Sequence, residues 1–190
     1  MTEWKLYQGD VAHVSTSEFH EHRERATHLE QEVHRPRLEH AAQLVRMVGQ
    51  SVSDLGCGDG GLLSLIPDLD AWGYDFAPAN VAGWDERGVR AEFLDVFGAD
   101  RDKVVFGVTT VVTEVLEHLT DPHAELRWIV RHSPFIVASS PWTENDQHHD
   151  ECHAWAWDQN GYRDLVEQAG YRVLRHDLVN QFQIILGMQA

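Results

Sequence analysis

The sequence predicts an α/β fold, a single doubly wound, mostly parallel sheet with an antiparallel edge strand. Three observations carry that prediction. Strand-type and helix-type segments alternate five times from residue 37 onward. One of the strands, 104–113, is so rich in β-branched and apolar residues that it belongs inside a sheet covered on both faces. Two last β-type runs, 172–178 and 182–188, flank Val179-Asn180-Gln181 and end the pattern as a hairpin.

Residues 1–36 are polar and carry His13, His20, His22, His28 and His34 among many Glu and Arg. The stretch 18–34 can be helical but has little apolar periodicity. It reads as a helical N-terminal extension, a tail or a lid, ahead of a domain spanning 37–190. The first firm helix is 37–48, with Leu38, Ala41, Ala42, Leu44, Val45 and Met47 as its apolar content and Gly49 as its stop. Strand 52–55 follows, then a helix opening at 61–65. Strand 71–74 ends at Asp75 and leads to helix 78–87; strand 91–94 ends at Asp95 and precedes strand 104–113. Helix 122–132 has Asp121 as its cap and Pro122 in its first position. Strand 135–139 and helix 158–169, stopped by Gly170, complete the alternation.

Length and charge narrow the functions. At 190 residues, one domain with a full core is the simplest organisation. The 31 acidic against 15 basic residues leave a net charge of −16, which repels phosphate backbones and disfavours nucleic acid as a partner. Only two cysteines occur, Cys57 and Cys152, in unrelated segments, so a reducing, cytoplasmic setting is expected rather than a disulfide framework. The first residues show no signal pattern, and no apolar run approaches the ~20 residues that span a bilayer, so no membrane partner is expected.

The chemistry concentrates at the carboxyl ends of the strands, where ligands of open α/β sheets bind. Ser53-Asp54-Leu55-Gly56-Cys57-Gly58-Asp59-Gly60-Gly61 reads as a strand end, a glycine turn and a helix start. Asp54 stands where a nucleotide phosphate would want no acid, and the spacing is Gly-x-Gly-x-Gly rather than the dinucleotide Gly-x-Gly-x-x-Gly. The turn therefore suits a ligand with positive charge. Asp75 follows about twenty residues later, the place of an acid that takes both ribose hydroxyls. Asp95 can accept from an adenine amine or serve only as a cap, and Glu114 closes the next strand.

The ordered set Asp54-x-Gly56-x-Gly58-Asp59-Gly60, Asp75, Asp95 and Glu114-Val115-Leu116-Glu117-His118 resembles the class I S-adenosylmethionine-dependent methyltransferases over roughly residues 40–188. The resemblance implies a Rossmann-like, seven-stranded sheet and bound S-adenosylmethionine. Its methionyl end would lie along Gly56, Cys57, Gly58 and Gly60, with Glu114 shaping that pocket. Its ribose would lie on Asp75, and its adenine between Phe76 and the Asp95-Val96 pair. The residues agree with this: the cofactor carries a sulfonium and an ammonium but no phosphate.

Methyl transfer needs donor and acceptor held in a dry, near-attack arrangement. A hydroxyl acceptor must also lose its proton, to a neutral imidazole such as His118 or with the help of a metal. Glu114-x-x-Glu117-His118 is similar to the metal-ligand motif of small-RNA 2′-O-methyltransferases. Their second histidine is matched best by His153, within His148-His149-Asp150-Glu151-Cys152-His153. Glu114, Glu117, His118 and His153 would suit Mg²⁺, Mn²⁺, Zn²⁺ or Fe²⁺. The candidate catalytic residues are His118, Glu114 and His153. The same segment also occurs in small-molecule O-methyltransferases without an evident metal, where Glu114 would shape the methionyl pocket, His118 would cap or pack, and the 148–153 cluster would be a solvated loop. Trp142, Trp155 and Trp157 can wall an acceptor pocket or fill the core. The expected function is methyl transfer to a small or medium-sized acceptor, at a hydroxyl oxygen. A metal-dependent RNA 2′-O-methyltransferase and a non-catalytic cofactor-binding partner or sensor are the alternatives, and a basic protein acceptor stays open. The oligomeric state is not readable.

Overall fold

The computed structural model describes residues 2–6, 21 and 23–190. His13, His20 and His22 and the first part of the expected 18–34 helix lie outside the described residues. A seven-stranded sheet forms the centre, in the order β4-β3-β2-β5-β6-β9-β8. Its strands are β2 (Ser51–Leu55), β3 (Asp70–Asp75), β4 (Ala91–Phe93), β5 (Thr109–Thr113), β6 (Phe135–Pro141), β8 (Tyr171–Val179) and β9 (Phe182–Gln189). The pairs β2–β3, β2–β5, β3–β4 and β5–β6 are parallel, and β9 runs antiparallel to both β6 and β8. The chain order reverses between β2 and β5, so the sheet's switch point lies at Leu55 and Thr113.

Alternation along the strands builds two cores. Val52, Val111, Val137 and Ile184 face one side with Leu38, Ala41, Ala42, Leu44 and Val45 of helix α1 (Arg35–Val48). Leu55, Val112, Ile136 and Ile185 face the other. There they meet Leu126 and Ile129 of α4 (Pro122–Ile129) and Tyr162, Leu165 and Val166 of α5 (Gln159–Gln168). Helices α2 (Gly61–Ser64) and α3 (Val81–Arg87) are short crossovers, α3 preceded by a 3₁₀ turn at Pro78–Asn80. Asp121 and Asp158 cap α4 and α5 by accepting from Ala124 N at 2.9 Å and Gly161 N at 2.7 Å.

Four elements depart from the sequence reading. The expected strand 104–113 pairs only over Thr109–Thr113. Ahead of it, a β-carbon on Gly107 would stand 2.7 Å from Ser51 O, and side chains replace the ladder: Gly107 N donates to Ser53 Oγ and Val108 N to Ser51 Oγ. Helix α4 stops at Ile129 and leaves in tight turns, with His132 N bonding Ile129 O. Of the expected helical extension, Glu21 is helical, whereas residues 23–34 hold one 3₁₀ turn, His28–Glu30, and a turn at 31–34 into α1, and otherwise run as a strap pinned by long-range bonds. Finally, β1 (Glu3–Lys5) pairs antiparallel with β7 (Trp155–Trp157) in a separate two-stranded sheet that no sequence pattern announced.

Candidate functional site

After Leu55 the chain turns sharply, with Gly56, Gly58 and Gly60 at φ of 80°, 55° and 82°. A β-carbon on Gly56 would stand 2.6 Å from Val115 Cγ2, so the turn is fitted against the exit of β5. Asp75 braces the turn from β3. Its Oδ2 accepts from Gly58 N at 2.9 Å, and its Oδ1 accepts from Ala77 N at 2.8 Å and Asn80 Nδ2 at 3.1 Å.

Asp54, Gly56, Cys57 and Gly58 line a cavity of about 580 Å³. They are joined there by Asp75 and Phe76 after β3, Asp95 and Val96 after β4, and Glu114 and His118 after β5. Gly60 stands behind the turn as the N-cap of α2. Asp95 also closes its own loop, its Oδ2 accepting from Ala99 N at 3.4 Å and its carbonyl from Asp100 N at 3.0 Å. Glu117, His153 and the three tryptophans do not line the cavity. Instead, Trp142 donates to Asn180 O, Trp155 to Leu119 O and Trp157 to Glu3 Oε2.

Among the described residues, two buried charges facing this cavity lack full partners. Asp54 is 1% exposed and its Oδ1 has no hydrogen-bond partner. Burial, then repulsion from Asp75, raises its carboxyl to about 7, against the pull of Arg37. Arg37, also 1% exposed, has no partner at Nε. Its Nη1 reaches Ser139 Oγ at 3.5 Å, its Nη2 reaches His28 Nδ1 at 3.4 Å, and its guanidinium lies over Phe182. Sequence reading missed Arg37 as a site residue. The available signal was its place on the buried stripe of α1, one turn before Ala41 and two before Leu44.

Glu114 holds a left-handed φ of 57°, fixed by Ser139: Glu114 N donates to Ser139 O at 3.1 Å, and Ser139 Oγ donates to Glu114 Oε1 at 2.7 Å. Burial raises the Glu114 carboxyl, and Arg37 and the Ser139 bond restrain the rise. Glu117 is fully buried with neither carboxylate oxygen bonded, and burial followed by the Glu114 charge pushes it well above the ordinary range. His118 Nδ1 lies 3.1 Å from Cys152 O, a geometry that puts the proton on Nδ1 and makes Nε2 the basic nitrogen. His153 packs edge-on against His118 at 4.7 Å and bonds Glu144 Oε2 through Nδ1 at 2.6 Å. Burial opposes its charge, but Glu144, Glu117 and Asp150 together raise it to about 9, so it is an imidazolium at neutral pH.

The expected metal quartet does not assemble as one set. Among the described residues, the group with ligand atoms within 4.8 Å of one another is His118, Cys152 and His153. Two imidazoles and a thiol suit a borderline ion such as Zn²⁺ better than Mg²⁺ or Mn²⁺. His148 and His149 are exposed on the preceding loop.

The strap covers one side of the cavity with Arg23, Arg25, Ala26, His28 and Gln31. Arg25 Nε donates to Asp59 Oδ2 at 3.0 Å and pairs with Glu86, and Ala26 N donates to Asn80 Oδ1 at 2.9 Å. Arg87 adds a second bond to Asp59, at 2.6 Å, and one to Glu30. Arg23 Nη1 reaches Cys152 Sγ at 3.7 Å.

No protein-family sequence model matches the chain, and no curated protein sequence matches it. Solved structures do. An O-methyltransferase family protein from Burkholderia thailandensis superposes with a TM-score of 0.66 at 14% identity, over 82% of this chain and 56% of that one. The chain thus spans little more than half of that structure. Magnesium protoporphyrin IX methyltransferase from Synechocystis, with S-adenosylhomocysteine bound, gives 0.65 at 12% identity, over 94% of this chain and 97% of that one. The 1,6-didemethyltoxoflavin-N1-methyltransferase of Burkholderia thailandensis gives 0.63 at 14% identity, over 80% and 78%. The chain has the Rossmann-like fold of these methyltransferases.

Proposed function

We propose that the protein is an S-adenosylmethionine-dependent methyltransferase acting on a small or medium-sized acceptor at a hydroxyl oxygen, in the cytoplasm. The observation that carries the reading is the pair of opposite, buried and incompletely partnered charges, Asp54 and Arg37, facing one glycine-turned cavity. An α-amino acid end offers the matching ammonium and carboxylate. A phosphate would instead meet Asp54, Asp75, Asp95 and Glu114.

Asp54 would hold the ammonium, Arg37 the carboxylate, Gly56, Cys57 and Gly58 the methionyl chain, Asp75 the ribose, and Phe76 with Asp95 and Val96 the adenine. S-adenosylmethionine supplies an electrophilic methyl group on a sulfonium sulfur. His118 Nε2 would take the proton of the acceptor hydroxyl as its oxygen receives that methyl group. His153, held charged by Glu144, and Glu114, held by Ser139, fix the surroundings of His118. The similar structures that carry S-adenosylhomocysteine support the cofactor.

A second reading adds a divalent ion on His118, Cys152 and His153, favoured by their convergence. Activity lost to a chelator and restored by one ion would select it. RNA remains disfavoured by the net charge of −16. Calorimetry with S-adenosylhomocysteine tests the main reading. The wild type is expected to bind, and Arg37→Met to bind roughly 10–100-fold more weakly, the cost of losing a charged hydrogen bond of about 1.5–3 kcal/mol. A wild type that binds neither S-adenosylhomocysteine nor S-adenosylmethionine sinks the reading.

A further inference from the structure

The strap is held at its two ends by different chemistry. Near residue 25 the anchors are ion pairs to Asp59 and Glu86. Nearer α1, Glu30 pairs with Arg87, and among the described residues His28 and His34 themselves make no ion pair. The His28 and His34 rings stack with centroids 4.3 Å apart and planes 18° off parallel, and His34 leans on Phe182 at 5.1 Å. Arg37 Nη2 meets His28 Nδ1 from beneath at 3.4 Å. A guanidinium only donates, so this contact requires His28 to accept, and hence to be neutral.

Among the described residues, the charges acting on the two rings are positive: Arg37 from α1 and Arg23 from the strap on His28, Arg37 on His34, and His34 on His28 once protonated. Protonating either ring in place would put like charges in contact, half-buried and without a carboxylate among those acting groups.

We propose that residues 23–34 are an acid-released strap over the cavity, held shut at the α1 end by the neutral His28–His34 stack on Arg37. Burial and then the neighbouring cations hold His28 at about 3 and His34 at about 4 while docked. The undocked rings titrate near an ordinary ~6.5. Their depressed docked values mean that docking is strongest above that range and weakens as pH falls through it. Between pH 7.5 and 5.5 the loss is about tenfold per imidazole, and roughly a hundredfold if both act. Faster ligand release in acid would follow; that consequence rests on the methyltransferase reading, whereas the docking itself does not.

The test is hydrogen–deuterium exchange of the ligand-free protein at pH 7.5 and 5.5, corrected for intrinsic exchange rates and read on peptides covering 23–34. Strap protection is expected to fall tenfold or more at pH 5.5 while the β5 and β6 peptides keep theirs. The His28→Gln/His34→Gln double variant should lose that dependence. Unchanged wild-type protection, or the same dependence in the double variant, overturns the proposal. Should the variant fail to fold, NMR titration of the two imidazoles in the wild type decides: values well below 6.5 support it, and values at or above 6.5 overturn it.

Discussion

The two sides of the cavity are built differently. The turn side rests on backbone geometry braced by one residue, Asp75, which bonds Gly58, Ala77 and Asn80 at once. The opposite side, around His118, rests on side chains brought from far apart: Cys152 O from 34 residues away, with Glu144 acting through His153. On the turn side the incompletely partnered acid, Asp54, lines the cavity; on the other side Glu117, with both oxygens unbonded, does not. The contrast teaches that a glycine turn braced by one carboxylate is specified locally, whereas the surroundings of His118 are assembled from segments far apart in the sequence.

The largest test of this contrast is His118→Gln. Turnover at an oxygen acceptor should fall by roughly 10²–10⁴ while S-adenosylhomocysteine affinity stays within about twofold. Loss of cofactor affinity instead would merge the two sides into one unit. Next comes Asp75→Ala, which removes three hydrogen bonds worth about 1 kcal/mol each and should weaken S-adenosylhomocysteine binding roughly a hundredfold in calorimetry. A small effect would mean that the turn holds without its brace.

The smallest effect is a pH dependence on the turn side. Asp54 titrates near 7 in the unliganded protein because burial raises it, and only its ionised form attracts a cation. Affinity for S-adenosylmethionine should therefore rise about tenfold from pH 6 to pH 8, with proton release on binding. Asp54→Asn should bind weakly and flatten the profile. A wild-type affinity that falls over this range would place the ligand's positive charge elsewhere.

The turn side was legible because its signals are local. An acid after a short apolar run, repeated at Asp54, Asp75, Asp95 and Glu114, marks strand ends wherever the fold is wound this way. Asp95 shows the limit of such a signal, since its carboxylate also closes the 95–100 loop. The strap contacts were not legible. Arg25 meets Asp59 across 34 residues, and nothing in either segment's pattern selects the other. Cys152 joins His118 and His153 only through the path of its loop, which no periodicity encodes. For the tryptophans the sequence left pocket wall and core open: Trp157 is fully buried in the core, and the three N–H groups go to Asn180, Leu119 and Glu3.

The pairing of β1 with β7 also has a consequence in time. Glu3 Oε2 accepts from Trp157 Nε1 across 154 residues, whereas the brace from Asp75 to Gly58 closes only 17. Loop-closure entropy makes the longer contact costlier by about 2 kcal/mol, and a ribosome offers Trp157 about a hundred residues after the glycine turn. The glycine turn can therefore take its shape while synthesis is still under way. The segment leading to His153 receives its final clamp only when the two distant parts of the chain meet.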